Sequence, residues 1–195
     1  MIISNIKNRI KEGLPSFIID IFDIVIKALI LILVLLTFVL RMCTVVGDSM
    51  NTTLTNGEKL IISNLLYTPK ENDIIVFHDT GSFNEPIVKR VIATGNKWVK
   101  IDYDNKILYV SSDNIFNEDD IVEESSYAFF DSGNYRYQSG IYEIYVPEGK
   151  LFVMGDNRNN SLDSRYNSIG LIDEKTVLGK VIFRMSPPDR IGVIN

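Results

Sequence analysis

Along the chain, one dense apolar run near the N-terminus gives way to short β-branched runs separated by turn formers. The apolar run is densest from Ala28 to Leu40 and extends from Ile24 to Val46 with only Lys27 and Arg41 as charges. An α-helix rises about 1.5 Å per residue and a bilayer core is about 30 Å thick, so a span needs roughly 20 residues. The run from Ile24 to Val46 has that length. Its two cations sit near the ends, where a long stem can lie along apolar surface while the charge reaches the headgroups. Asp20, Asp23 and Lys27 share one helical face, a paired polar stripe at the membrane entrance. The pattern predicts a single transmembrane helix within an anchor of residues 16–46. Residues 1–15, with Lys7, Arg9 and Lys11 against Glu12, form a cytoplasmic segment before it. No small-x-small site follows Leu40, and Arg41-Met42 before Cys43 is a poor lipoprotein signal, so the run reads as retained rather than cleaved.

From residue 47 to 195 the pattern changes to strands. The runs are Lys59–Ile62, Asp73–Phe77, Pro86–Ala93, Trp98–Ile101, Lys106–Val110, Ile141–Val146, Lys150–Met154 and Val177–Met185. Turn pairs such as Asn56-Gly57 and Asp104-Asn105 separate them, which predicts a mostly β domain, an antiparallel sheet or barrel-like fold outside the membrane. Residues 111–140, rich in Ser, Asp, Asn, Glu and Tyr, read as a polar insertion outside the main core.

A chain of 195 residues has room for one anchor and one folded domain. Residues 1–40 hold four of the 20 basic and three of the 25 acidic side chains, which leaves the outer part with a net charge of −6. That charge disfavours a nucleic-acid partner. Cys43 is the only cysteine, so neither an internal disulfide nor a multi-cysteine metal site can form. The acidic residues Glu118-Asp119-Asp120 and Glu123-Glu124 read as a solvated face, and Asp102-x-Asp104-Asn105 lacks the glycine and distal glutamate of a calcium loop. No metal and no cofactor is expected.

Three short segments carry chemistry. The run Gly155 to Arg165, GDNRNNSLDSR, crowds turn formers, charges and hydroxyls behind a strand-like segment. Gly47-Asp48-Ser49-Met50 follows the apolar run, and Lys89-Arg90-Val91-Ile92 lies within another strand. Peptide hydrolysis needs a nucleophile, a proton acceptor and donors for the oxyanion. His78 is the only imidazole and ends a strand, where an edge or loop histidine is expected, so the acceptor must be something else. A lysine serves only when neutral, and its usual pKa of about 10.4 forbids that near pH 7 unless burial lowers it. The period of two puts Lys89 on one face with Ile87 and Val91, and Arg90 on the other with Val88 and Ile92. Lys89 is thereby expected to be desolvated. Gly47 permits tight backbone approach beside Ser49, and Met50 offers an apolar side chain next to the site. Read singly, each residue is ordinary: a turn hydroxyl, a snorkelling lysine, loop carboxylates. Their combination suggests a serine nucleophile and a lysine base.

These segments, in this order behind one membrane run, resemble type I signal peptidases, the membrane-bound serine proteases that remove signal peptides from exported proteins. Ser49-Met50-Asn51-Thr52-Thr53-Leu54 matches the family's Ser-Met-x-Pro-Thr-Leu box except that Thr52 stands where proline is usual. Ala93-Thr94-Gly95-Asn96 replaces the usual Gly-x-Pro-Gly-Asp after the lysine box, while Gly155 to Arg165 matches closely. The resemblance implies that Ser49 is the nucleophile and Lys89 the general base, and that the Ser49 N–H binds the oxyanion. It further implies that Ser161 orients the lysine amine, that Asp163 and Arg165 form a structural ion pair, and that Asp156 is a supporting carboxylate. Some relatives carry a second oxyanion hydroxyl two residues before the nucleophile, where this chain has Gly47. The implied partners are secretory preproteins cleaved after Ala-x-Ala and the lipid of the cell membrane, with Met50 and the strand of Ile87 as candidate pocket residues. Two rivals stand beside this reading: a self-cleaving Ser/Lys protease of the LexA repressor type, and a membrane-anchored β domain that binds peptides without catalysis.

Overall fold

The computed structural model describes residues 14–78, 85–130 and 139–194. The chain divides into two compact units, residues 1–40 and 41–195. The predicted cytoplasmic segment lies almost wholly outside the described residues.

Among the described residues the first unit contributes one helix, α1 (Leu14–Val39). Its apolar side chains from Phe17 to Val34 are 40–66% exposed, and Lys27 pairs with Asp23 at 2.6 Å, one helical turn apart. Among the described residues no helix is long and apolar enough to cross a membrane. Asp20, Asp23 and Lys27 interrupt the apolar character of α1, and its uncharged part begins only at Ala28. The boundaries also differ from the predicted anchor of 16–46. The helix ends at Val39 and the chain continues as an extended strand, β1 (Leu40–Thr44). The apolar run from Ile24 to Val46 thus holds two elements, because Leu40–Thr44 finds a partner strand whose backbone groups satisfy its own.

The second unit is built from β2 (Lys59–Ser63), β3 (Ile74–His78), β4 (Pro86–Ala93), β5 (Lys97–Asp102) and β6 (Ile107–Ser111). It continues with β7 (Ile141–Val146), β8 (Lys150–Met154), β9 (Ile172–Asp173), β10 (Val177–Ser186) and β11 (Gly192–Val193). Every strand-like run in the sequence forms a strand within a residue or two of its expected limits; β9 and β11, two residues each, are too short to show a period of two, and β1 lay inside the run read as helix. The main sheet runs β1-β2-β10-β3-β4-β8-β9, with β11 pairing β10, and a smaller sheet runs β6-β5-β7. The registered strand pairs are antiparallel. The main path has two ends, β1 and β9, so it is an open sheet rather than a closed barrel among the described residues.

Both faces of the central strands are covered. Ile74 and Val76 join Met50, Leu54, Leu60, Ile62 and Val181 in one apolar cluster, while Ile75 and Phe77 join Val91, Leu151, Val153 and Ile172 in another. The far ends of β4 and β8 pack with the small sheet through Ile92, Ala93, Val99, Ile101, Leu108, Val146 and Phe152. The polar insertion is not wholly outside this core. Val122 and Phe130 pack against the last cluster, and Phe129 bridges Asn157 in parallel.

Candidate functional site

β4 is the strand on which the site is assembled. Lys89 stands opposite Ile75 in the register and Arg90 opposite Ile74, so the two neighbouring cations point to opposite faces of one sheet. Ile75, Ile87 and Val91 mark the face of Lys89, as the alternation predicted. Both cations are only 3% exposed. Charges that deep need partners or are pushed toward the neutral form.

Arg90 is paired. Its Nε donates to Asp156 Oδ1 at 2.9 Å and its Nη2 to Asp156 Oδ2 at 2.7 Å. The Thr53 hydroxyl donates to Asp156 Oδ2 at 2.6 Å. This planar two-point contact suits a guanidinium and no other cation.

Lys89 has, among the described residues, no carboxylate within hydrogen-bond reach of its amine. Its Nζ lies 2.7 Å from Ser49 Oγ and donates to Val88 O at 3.1 Å. Burial lowers its pKa to about 8, with Arg165 acting in the same direction and Asp163 and Asp156 opposing. A hydroxyl within reach of an amine that is readily neutral can pass its proton to that amine as it attacks an electrophilic carbon.

Ser49 is held by backbone. Gly47, with φ +85, turns the chain into the Asp48-Ser49 segment in a conformation that favours glycine. The sequence suggested close approach as the reason for this glycine, but a Cβ there would meet nothing within 4 Å; conformation is the reason. Asn157 clamps the segment from the other side, its N–H donating to Ser49 O at 3.0 Å and its Nδ2 to Asp48 O at 3.1 Å. Close approach is the requirement at Gly155 instead. A Cβ there would fall 2.2 Å from Ser161 Oγ and 2.4 Å from Ser49 O.

The remaining residues of the Gly155–Arg165 segment form a second buried cluster. Asp163 accepts from Arg165 Nε at 2.8 Å and Nη2 at 2.9 Å, from Gly155 N–H at 2.9 Å and from the Ser161 hydroxyl at 2.6 Å. Burial pushes the Asp163 pKa up, but the Arg165 charge and these hydrogen bonds outweigh it and hold the carboxyl below its ordinary value. Asp163 and Arg165 form the expected ion pair, with both side chains 0% exposed. Ser161 differs from expectation. Its hydroxyl donates to Asp163, and among the described residues no hydrogen bond joins it to the Lys89 amine.

Met50 also departs from expectation. It is 1% exposed and packs in the core with Leu54 and Ile62, so it offers no surface to a pocket. Its side chain leaves the site because the turn after Ser49 directs it inward, where Leu54 N–H donates to Met50 O at 2.8 Å. His78 ends β3 exposed, opposite Pro86.

Several residues beyond the expected set belong to this neighbourhood. Arg158 Nε donates to Gly155 O at 3.1 Å, and its guanidinium pairs with Glu124 from the insertion. Arg184 and Arg190 both donate to Thr53 O and both pair with Glu58. Arg158 was visible as a cation within the loop; Thr53 stood in the serine box and Glu124 in the acidic run without a role, and nothing local marks Glu58, because their partners lie far along the chain.

An open antiparallel sheet carrying a buried amine beside a serine hydroxyl defines a hydrolase-like site. Comparison with known proteins makes the class specific. A family model described as signal peptidase, peptidase S26, matches residues 18–186. "Probable signal peptidase I-1" of Synechocystis sp. is 32% identical over 193 residues, covering 94% of this chain and 86% of that protein. "Signal peptidase I P" of Bacillus subtilis subsp. natto is 36% identical over 179 residues, covering 90% of this chain and 93% of that protein. A crystal structure of a signal peptidase I from Enterococcus faecalis V583 aligns over 58% of this chain and 97% of that one, at 27% identity and a TM-score of 0.43. The chain belongs to the signal peptidase family, peptidase S26, and is an enzyme of the signal peptidase I kind.

Proposed function

We propose that this protein is a membrane-anchored endopeptidase that removes N-terminal signal peptides from exported preproteins, with Ser49 as nucleophile and Lys89 as general base. The carrying observation is the 2.7 Å separation of Lys89 Nζ from Ser49 Oγ, made by a lysine 3% exposed. In the first half-reaction Ser49 Oγ attacks the scissile carbonyl carbon as its proton passes to Lys89 Nζ. The oxyanion is held by the Ser49 N–H. Collapse breaks the C–N bond, and the proton moves from Lys89 to the leaving amine. A water, deprotonated by Lys89, then hydrolyses the acyl ester and restores the serine.

The edge of β4 supports the way a substrate is read. Pro86 to Arg90 pair with β3 on one side, whereas the pairing with β8 on the other begins only at Arg90. The stretch Pro86–Lys89 thus offers backbone groups to an extended peptide, by β-augmentation leading to Ser49. Small residues at alternate positions, as in Ala-x-Ala, are the preference that the family resemblance implies.

α1 is the proposed anchor. Its exposed apolar side chains and the uncharged stretch from Ala28 onward support lipid contact, and the Lys27–Asp23 pair lowers the cost of bringing those charges to the headgroups. Tethering raises the effective concentration of site and substrate at one surface. The residues before the helix are proposed to be cytoplasmic and residues 41–195 extracytoplasmic.

The test is to incubate the detergent-solubilised full chain with a preprotein bearing Ala-x-Ala and to sequence the new N-terminus. Cleavage after the second alanine, lost in Ser49→Ala and in Lys89→Ala, is the expected result. Wild-type rates in either variant, or no cleavage by the wild type, would sink the assignment. Self-cleavage without preprotein cleavage would favour the repressor-type alternative.

A further inference from the structure

Resting on the reading above, we propose that Glu124 and Tyr127 of the insertion are positioning residues: the segment Glu124–Phe129 straps the Asp156–Arg158 backbone in place, and that backbone sets the position of Ser49. Two layers of backbone contact support this. Phe129 N–H donates to Asp156 O at 2.7 Å, and Arg158 N–H donates to Phe129 O at 2.9 Å. On the opposite side of the same three residues, Asn157 donates to Ser49 O and, through its amide, to Asp48 O. Asn157 therefore sits between strap and nucleophile, and any shift of Phe129 is passed on to the Ser49 peptide.

Side chains fasten the strap. The Glu124 carboxylate pairs with Arg158 Nη1, with side chains 10% and 0% exposed, in contrast to the solvated face that the acidic run suggested. Arg158 Nε in turn holds Gly155 O, the residue packed directly on Ser49 O. The Tyr127 ring lies 4.1 Å from the Arg90 guanidinium and 5.8 Å from that of Arg158. It thus touches both the cation beside Lys89 in β4 and the cation of the Gly155 loop. Tyr127 and Ala128 N–H groups donate to Glu124 O at 3.1 and 2.8 Å, so the strap is a turn with its own internal bonds. Neither Glu124 nor Tyr127 contacts Ser49 or Lys89 in this arrangement; they act through the Gly155 loop and Arg90.

The experiment measures kcat and KM of the full chain in detergent on an Ala-x-Ala peptide, beside hydrogen–deuterium exchange of the Gly47–Met50 amides. Glu124→Gln and Tyr127→Leu are expected to lower kcat roughly tenfold or more with KM nearly unchanged, since a small misplacement of reacting groups is costly. Exchange at residues 47–50 should quicken in both. Tyr127→Phe, which keeps the ring between the guanidiniums, should recover most of the rate lost in Tyr127→Leu. Glu123→Gln, the exposed neighbour, should behave as wild type. If Glu124→Gln fails to fold, the Tyr127 pair decides. Unchanged kcat and unchanged exchange in the folded Glu124 and Tyr127 variants overturn the strap. A wild type that cleaves no peptide overturns the proteolytic reading instead, and the exchange data still judge the strap on their own.

Discussion

Lys89 Nζ lies 2.7 Å from Ser49 Oγ although the two residues are 40 positions apart, and the lysine is buried with no carboxylate paired to its amine among the described residues. The neighbouring Arg90 is equally buried and holds the Asp156 carboxylate with the Nε and Nη2 edge of its guanidinium. One strand therefore holds one cation in a carboxylate pair and leaves the other with a lowered pKa. The difference lies in what faces each of them.

The first prediction concerns the rate as a function of pH. With the Lys89 pKa lowered to about 8 by burial, the neutral amine fraction rises about tenfold per pH unit below that value and levels off above it. Cleavage of a peptide substrate should follow this limb. A rate independent of pH between 6 and 9 would exclude Lys89 as the base.

Stability should carry the same signature with a definite sign. The folded chain binds fewer protons at Lys89 than the unfolded chain between about pH 8 and the unfolded lysine value near 10.4, so stability rises with pH across that window. Below it the full penalty stands, on the order of 3 kcal/mol. Lys89→Met removes the penalty, and thermal melts should show the variant more stable than wild type at pH 7, with the gap closing by about pH 10. Equal melting temperatures at pH 7 would contradict it.

Gly155→Ala tests close packing. The added Cβ would fall 2.2 Å from Ser161 Oγ and 2.4 Å from Ser49 O, so the loop or the nucleophile segment must move. A folded but destabilised protein is expected, by about 1–3 kcal/mol in urea unfolding, with kcat reduced about a hundredfold. Wild-type kcat in a folded variant would show that the Ser49 position tolerates displacement.

Ser161→Ala separates two roles for that hydroxyl. Because it donates to Asp163, its loss should lower the rate about tenfold by loosening the loop, while the pH limb stays near 8. A displaced limb would instead mean that the hydroxyl acts on the Lys89 amine directly.

Much of the architecture was readable because β strands on a buried sheet announce themselves by apolar runs bounded by turn residues. β4, β7 and β8 have the limits their sequences imply. The alternation within Ile87–Ile92 foretold which face Lys89 would occupy, since a strand leaves no choice once one neighbour is buried. The ion pair of Asp163 with Arg165 was legible for the same local reason, two positions apart in one loop. Leu40–Thr44 was misread as helix because apolarity alone does not distinguish a membrane helix from an edge strand. The largely covered Glu124 side chain was misread as surface because Glu118, Asp119, Asp120 and Glu123 nearby are acidic and its partner Arg158 is 34 positions away.

What the sequence determined by itself was chemical supply and local form: a serine after a turn glycine, a lysine within an apolar strand, a charged loop, and a β domain following an apolar helix. Only the tertiary structure decided the connections. It joined Ser49 to Lys89, spent the Ser161 hydroxyl on Asp163, sent Met50 into the core, and brought the insertion against the Gly155 loop. The physical reason is range. Backbone preference and side-chain alternation act over a few residues and are written in order along the chain, whereas desolvation and hydrogen-bond pairing depend on which distant groups arrive at the same place.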